Sequence, residues 1–245
     1  MPRFFINKSQ IDGNTLFIDG DDARHIARSL RMAVGDEITV CDGEGTEYTS
    51  SLTRIRDERC DCEITEVRLS SAEPKARITL FMAYPKSDKL ETVIQKAVEL
   101  GAYEIVPFES SRCIKRPKAD KAEERTLRLN RIAEEAAKQC GRAILPKVSI
   151  PLSYSQMISR AKESELAIFC YEGEGATSLK KILETKSEVP ESIAVIVGSE
   201  GGFSEKEAAE AKEAGMTVAN LGPRILRCET APDYCLSAIS YRFEL

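Results

Sequence analysis

The stretch "VIVGSEGGFSEKE", residues 195–207, decides the fold class. Ile193 to Val197 is a short apolar run rich in β-branched residues, the composition of a buried strand. Gly198, Gly201 and Gly202 then let the backbone turn sharply and approach another group closely. Ser204 and Glu207 have capping-box spacing, so a helix begins near Glu205 and ends before Gly215. Strand, glycine bend and helix form the repeating unit of an α/β sheet. The bend reads G-S-E-G-G, which is neither the dinucleotide fingerprint nor the P-loop, and it carries no lysine. With Glu200 inside it, a phosphate is disfavoured. A cationic or neutral ligand bound through backbone groups fits, and so does a tight turn that binds nothing.

The same alternation extends on both sides. "RITLFMAY" (77–84), "EIVPFES", "ELAIFCYE" and "MTVANLG" read as further strands, and "KLETVIQKAVELGA" reads as an amphipathic helix with Ile94, Ala97 and Val98 on its packed stripe. "KAEERTLRLNRIAEEAAKQCGR" (121–142) is a long helix whose buried face is expected at Leu127, Ile132, Ala136 and Cys140, with Gly141 as its stop. The last helix is expected to begin after Pro232. Such a pattern implies a mainly parallel sheet covered by helices.

The first 70 residues differ. "TLFIDG", "DEITVCDG", "TEYTSSLTRI" and "CDCEITEVRL" are strands punctuated by Asp-Gly and Gly turns, interrupted by one helical piece, "DDARHIARSLRM". "SSAEPKA" (70–76) reads as a linker, giving a β domain over 1–70 and an α/β domain over 75–245.

Composition narrows the class. The chain has 245 residues and eight cysteines but no CxxC pair, and its one histidine is His25. A zinc site lacks partners at suitable spacing, and the cysteines read as reduced, packed thiols, Cys60 and Cys62 on one face of a strand. No apolar run approaches the ~20 residues of a membrane span, and the N-terminus lacks a secretory core, so a cytoplasmic protein is expected. Net charge is −5, yet residues 75–150 hold 16 Lys/Arg against 10 Asp/Glu, while 1–70 hold 9 against 14 and 151–245 hold 10 against 15. A basic middle in an acidic chain suits an anionic partner, the basic run extending from Arg112 to Lys147. Arg24, Arg28 and Arg31 are spaced to share one helix face; His25 beside them is given no catalytic role. A second loop, "NLGPRILRCETAPDY" (220–234), places two arginines and a carboxylate after the last strand, where α/β sheets bind ligands.

Taken in order, "HIARSLRMAVGDEITVCDGEG", "KSDKLETVIQKAVELGAYEIVPFESSRC", "RLNRIAEEAAKQCGRAILP", "VGSEGGFSEKE" and "LGPRILRCETA" resemble the RsmE-type 16S rRNA uridine-N3 methyltransferases over nearly the whole chain. The resemblance implies an N-terminal PUA-like β-barrel, a C-terminal SPOUT α/β domain with a trefoil knot, S-adenosylmethionine as methyl donor, 16S rRNA as substrate, and a homodimer without metal or membrane. It places cofactor contacts at Tyr171, Glu172, Gly198, Ser199, Glu200, Gly201, Leu221, Gly222, Ile225, Leu226 and Arg227. Glu200 is the candidate base at uracil N3, with Arg227 or Arg142 stabilising charge on the ring oxygens. Arg3, Arg24, Arg28, Arg31, Arg112 and Arg128 are the candidate rRNA contacts. Ser199 stands where proline is usual, Cys228 where threonine is common, and Pro232 where small or apolar residues are usual. Another SPOUT chemistry, on a ribose 2′-hydroxyl or a different base, and a non-catalytic RNA-binding assembly factor are the alternative readings.

Overall fold

The computed structural model describes residues 1–86, 89–114 and 121–245, so part of the basic run, 115–120, lies outside the described residues. The chain divides into two compact units, one formed by Met1–Glu73 with Ala137–Leu145, the other by Pro74–Ala136 with Pro146–Leu245.

The first unit is a six-stranded sheet: β1 (Arg3–Phe5), β2 (Ile11–Asp12), β3 (Thr15–Asp19), β4 (Glu37–Cys41), β5 (Thr46–Ile55) and β6 (Arg59–Leu69), ordered β1-β4-β5-β6-β3-β2. β1 pairs with β4 in parallel and the remaining pairs are antiparallel. The β5–β6 register shifts at Thr49/Ser50 and at Leu52/Arg54, and such bulges bend a ladder and increase its twist. The core of this unit holds Phe4, Ile18, Ile26, Ile38, Val40, Leu52, Cys60 and Cys62. Cys60 and Cys62, two apart, do share a face.

The helical piece is shorter and wider than an α-helix. α1 (Gly20–Arg24) runs into a π-helix over His25–Leu30, closed by Arg31 with φ 51° in the left-handed region. The α-helical spacing of Arg24, Arg28 and Arg31 therefore does not apply, because the wider turn and the reversed backbone at Arg31 re-aim the side chains.

The second unit is an eight-stranded sheet ordered β10-β8-β7-β13-β11-β14-β12, with β9 also on β8. Its strands are β7 (Arg77–Ala83), β8 (Glu104–Glu109), β9 (Lys147–Val148), β10 (Leu152–Ser153), β11 (Leu166–Cys170), β12 (Thr177–Ser178), β13 (Ser192–Val197) and β14 (Thr217–Asn220). Every pairing is parallel. β11 is buried at each residue, as in strands covered on both faces.

The helices are α2 (Lys89–Glu99), α3 (Ala122–Cys140), α4 (Tyr154–Ala161), α5 (Leu179–Glu184), α6 (Glu205–Glu213) and α7 (Thr230–Phe243). Two expectations are corrected. The buried face of α3 runs through Leu129, Ala133, Ala136 and Ala137, while Leu127 is 67% exposed. Two residues turn a helix by roughly 200°, so Leu127 and Leu129 cannot share a face. The last helix begins at Thr230, with Pro232 inside its first turn. There the missing proline N–H removes no intrahelical bond.

Candidate active site

Three adjacent parallel strands, β13, β11 and β14, end at one edge of the sheet, and their following segments enclose an open cleft of about 980 Å³. Ligands of open α/β sheets bind outside the carboxyl ends of the strands, because loop backbones there are free of the ladder. The cleft is lined by 170–173, 197–203, 219–228, Ala231 and, from α2, Lys89.

The glycine bend forms a rigid wall. Gly202 (φ 62°) donates its N–H to Ser199 O at 2.9 Å, closing the turn. A Cβ on Gly198 would lie 3.0 Å from Gly202 Cα and 3.1 Å from its carbonyl carbon, so a side chain there would press on the backbone of the turn. Behind the bend, Arg112 Nη1 donates to Gly201 O at 3.1 Å. Glu207 accepts from Ser111 N and Oγ (2.7 and 2.8 Å) and from Ser204 N and Oγ (2.8 and 2.9 Å). Burial would push the Glu207 carboxyl up, but these donors together hold it below the usual carboxylate range. The capping box expected from Ser204 and Glu207 is thus present, and it also ties α6 to the segment after β8. Phe203 anchors the wall against Phe169, ring centroids 4.2 Å apart.

The second wall follows β11, where the ring of Tyr171 folds over the backbone of Gly173 and leaves no room for a side chain there. The third follows β14. Asn220 Nδ2 donates to Ala176 O at 3.0 Å, and its Oδ1 accepts from Gly222 N at 3.3 Å. Beyond Gly222 (φ 102°) the segment is open, and Ile225 is 83% exposed. Arg227 O accepts from Thr230 N and Ala231 N, which starts α7.

The charged groups sit to one side. Lys89 Nζ lies 3.0 Å from Glu229 Oε2 and 3.4 Å from Glu200 Oε1. Glu200 also accepts from Lys86 N at 3.1 Å. Burial would raise the Glu200 carboxyl, but backbone N–H donors, Lys86 among them, and the Lys89 ammonium hold it below its ordinary value. A carboxylate so occupied is a weaker proton acceptor, which argues against the general-base role expected for Glu200. Burial pushes the Cys228 thiol up to about 12, helped by its contact with Glu229.

Eleven expected cofactor contacts, from Tyr171 through Arg227, all line this one cleft. Lys89, Asn220 and Gly173 also line it, beyond the residues expected; Lys89 finds its partner Glu229 140 positions away, outside any local pattern. Arg142 does not line the cleft. Its buried guanidinium bonds Glu73 Oε2 at 2.8 and 3.0 Å, while Glu73 Oε1 accepts from Ala143 N and Ile144 N. Arg3 is likewise enclosed, 3.0 Å from Glu47 Oε1. Arg112 braces the glycine bend, and Arg128 pairs with Glu91 at 3.0 Å. Of the candidate rRNA contacts, Arg24, Arg28, Arg31, Arg112 and Arg128 are open to solvent, with Arg24 against Asp21 and Arg28 against Asp57. Among the described residues no His/Cys/Asp/Glu group could hold a metal, and no helix is long and apolar enough to cross a membrane.

Such a cleft suits a ligand with polar edges for backbone groups, an apolar body against Leu221, Ile225 and Leu226, and no phosphate. Known proteins agree with that chemistry. Residues 72–240 match the RNA methyltransferase domain model and residues 18–65 the RNA methyltransferase PUA domain model. A Bacillus subtilis protein named ribosomal RNA small subunit methyltransferase E is 35% identical, covering 100% of this chain and 98% of its own. The crystal structure of the protein of that name from Neisseria gonorrhoeae, bound to S-adenosyl methionine, is 31% identical with a TM-score of 0.87, over 99% of this chain and 98% of its own. A methyltransferase structure from Legionella pneumophila in complex with SAM is 28% identical with a TM-score of 0.85, over 98% and 96% of the two chains. The PUA-like sheet and the parallel α/β unit are therefore those of the ribosomal RNA small subunit methyltransferase E family of RNA methyltransferases, to which the chain belongs.

Proposed function

We propose that the protein transfers a methyl group from S-adenosylmethionine to N3 of a uridine in the rRNA of the small ribosomal subunit. The observation that carries this reading is the cleft at the ends of β13, β11 and β14, a backbone-lined cradle whose glycine bend has no lysine and contains a carboxylate. Gly198, Ser199, Gly201, Leu221, Gly222, Ile225 and Leu226 would hold the cofactor, and Glu172 and Glu200 offer negative charge to a cation. S-adenosylmethionine supplies an electrophilic methyl group, whose bond to sulfur breaks as the bond to nitrogen forms, the electron pair leaving on sulfur. What the protein adds is placement of N3 in line with that bond, together with a cleft open enough to admit a base from a folded RNA.

In this reading residues 1–70 bind RNA through Arg24, Arg28 and Arg31, whose surface ion pairs are weak enough for phosphates to replace. Residues 75–245 form the methyltransferase unit, knotted near its C-terminal end. The working form is a cytoplasmic homodimer.

The test uses small subunits from a strain that lacks this modification, incubated with the protein and methyl-labelled S-adenosylmethionine. Nuclease mapping and nucleoside mass spectrometry should place the label in 3-methyluridine. Label on a ribose oxygen or another base, or S-adenosylmethionine binding without transfer, would overturn the reading. Light scattering of the eluted protein should give twice the chain mass.

A further inference from the structure

The uracil N3 carries a proton, and its loss leaves negative charge spread over N3 and the two ring oxygens. Something in the cleft has to receive that charge. We infer that Lys89 is the catalytic cation, its ammonium set beside the uracil to stabilise the ring oxygens as N3 gives up its proton; this rests on the uridine-N3 reading above.

Among the described residues three cations line the cleft: Lys89, Arg224 and Arg227. Both arginines are exposed and stand on the open segment after β14. Lys89 differs in being held. Among the described lining residues it is the one that α2 contributes, and two carboxylates from the segments after β13 and β14 fix it: Glu229 at 3.0 Å and Glu200 at 3.4 Å. An ammonium has three protons to donate. Glu229 and Glu200 take two, and Cys228 Sγ, at 4.0 Å, is too far to hold the third firmly. The nitrogen thus arrives in a fixed position with a donor to spare on a side chain that is 35% exposed toward the cleft and solvent. Fixed donors aimed where charge develops cost no reorganisation during the reaction.

The same clamp makes Glu200 a poor base, because the Lys86 N–H and the Lys89 ammonium both stabilise its ionised form. Its function here is to hold the cation. The N3 proton then passes to water in the open cleft, the nitrogen keeps the electron pair, and that pair forms the bond to the incoming methyl carbon. The charged and titratable groups facing Lys89 are Glu200 from the glycine bend and Glu229 and Cys228 from the segment leading into α7. Both carboxyls are held low and the thiol stands at about 12, so none of them changes charge between neutral pH and mild alkali.

The experiment compares Lys89→Met and Lys89→Arg with the unaltered protein, using S-adenosylmethionine calorimetry and methylation of unmodified small subunits across neutral to alkaline pH. Lys89→Met should bind S-adenosylmethionine within about threefold of the unaltered protein, yet lose on the order of 10²–10³ in kcat. Raising the pH should restore that variant more than the unaltered protein, because hydroxide then forms the uracil anion without help, and Lys89→Arg should recover part of kcat. A large loss of S-adenosylmethionine affinity with kcat retained would overturn the inference and make Lys89 a partner of the cofactor carboxylate. A kcat loss that alkali leaves untouched would overturn it too. Transfer by the unaltered protein to an atom other than N3 would instead defeat the underlying reading, so the two failures are separable.

Discussion

The two longer walls of the cleft are built on opposite plans. The glycine bend at 198–203 is braced from behind: Arg112 holds the carbonyl of Gly201, Glu207 gathers four donors, and Phe203 is wedged against Phe169. The segment at 221–227 has Asn220 at its root and then leaves Ile225 in solvent. A wall of the first kind is finished before any ligand arrives. A wall of the second kind keeps apolar surface in reserve, and covering Ile225 would contribute to binding and nothing to the empty fold.

The largest effect should come from filling the braced wall. Gly198→Ala places a Cβ 3.0 Å from Gly202 Cα, a backbone atom that cannot swing aside. We expect a loss of about 1–3 kcal/mol in urea unfolding and a fall of roughly a hundredfold in S-adenosylmethionine affinity by calorimetry. Unchanged affinity would show that the bend is not preformed in the sense argued here.

Glu207→Gln comes next, with an expected loss of about 2 kcal/mol at neutral pH, since a neutral amide oxygen replaces a charged acceptor. Its pH dependence has a definite sign. The folded carboxyl titrates below its unfolded value of about 4.3, so the contribution is complete above that value and fades as pH falls through the lower, folded one. Urea midpoints at about pH 6 and about pH 3.5 should therefore differ less in the variant than in the unaltered protein. An identical acid limb in both would remove Glu207 as a brace.

The smallest effect belongs to the open wall. Ile225→Ala should leave unfolding within about 0.5 kcal/mol and weaken S-adenosylmethionine binding by roughly 5–10-fold. A clear loss of stability in the empty protein would mean that both walls are built alike.

How much of this was legible beforehand follows the range of the interactions. Ser204 and Glu207 are three apart, and α6 starts where they indicated. β5 covers the stretch read as a strand, because alternation and β-branching act within a few residues. The long helix was placed correctly and its face was not. Leu127 and Leu129 are equally apolar, and only the neighbouring elements decide which is buried. The arginines are the instructive case. Sequence offers Arg3 and Arg112 as rRNA contacts and Arg142 as a stabiliser of substrate charge, while Glu47, the Gly201 carbonyl and Glu73 pair with them from 44, 89 and 69 positions away. Lys89 was passed over for the same reason, since an ordinary helix-start lysine acquires its role from Glu200 and Glu229. The π-helix at His25–Leu30 had no counterpart in the pattern, because α and π turns use the same residues.

Glu73 has a consequence for how the chain comes into being. Its two oxygens grip Arg142, Ala143 and Ile144, and Ala137–Leu145 belongs with the unit that begins at Met1. On the ribosome the first 73 residues emerge well before their missing piece. All six strands of the sheet are present by then, but the Glu73 carboxylate stays unanswered until the chain beyond α3 has been synthesised. The order of translation and the order of completion are therefore different, and a fragment cut after Glu73 would lack the partners of that carboxylate.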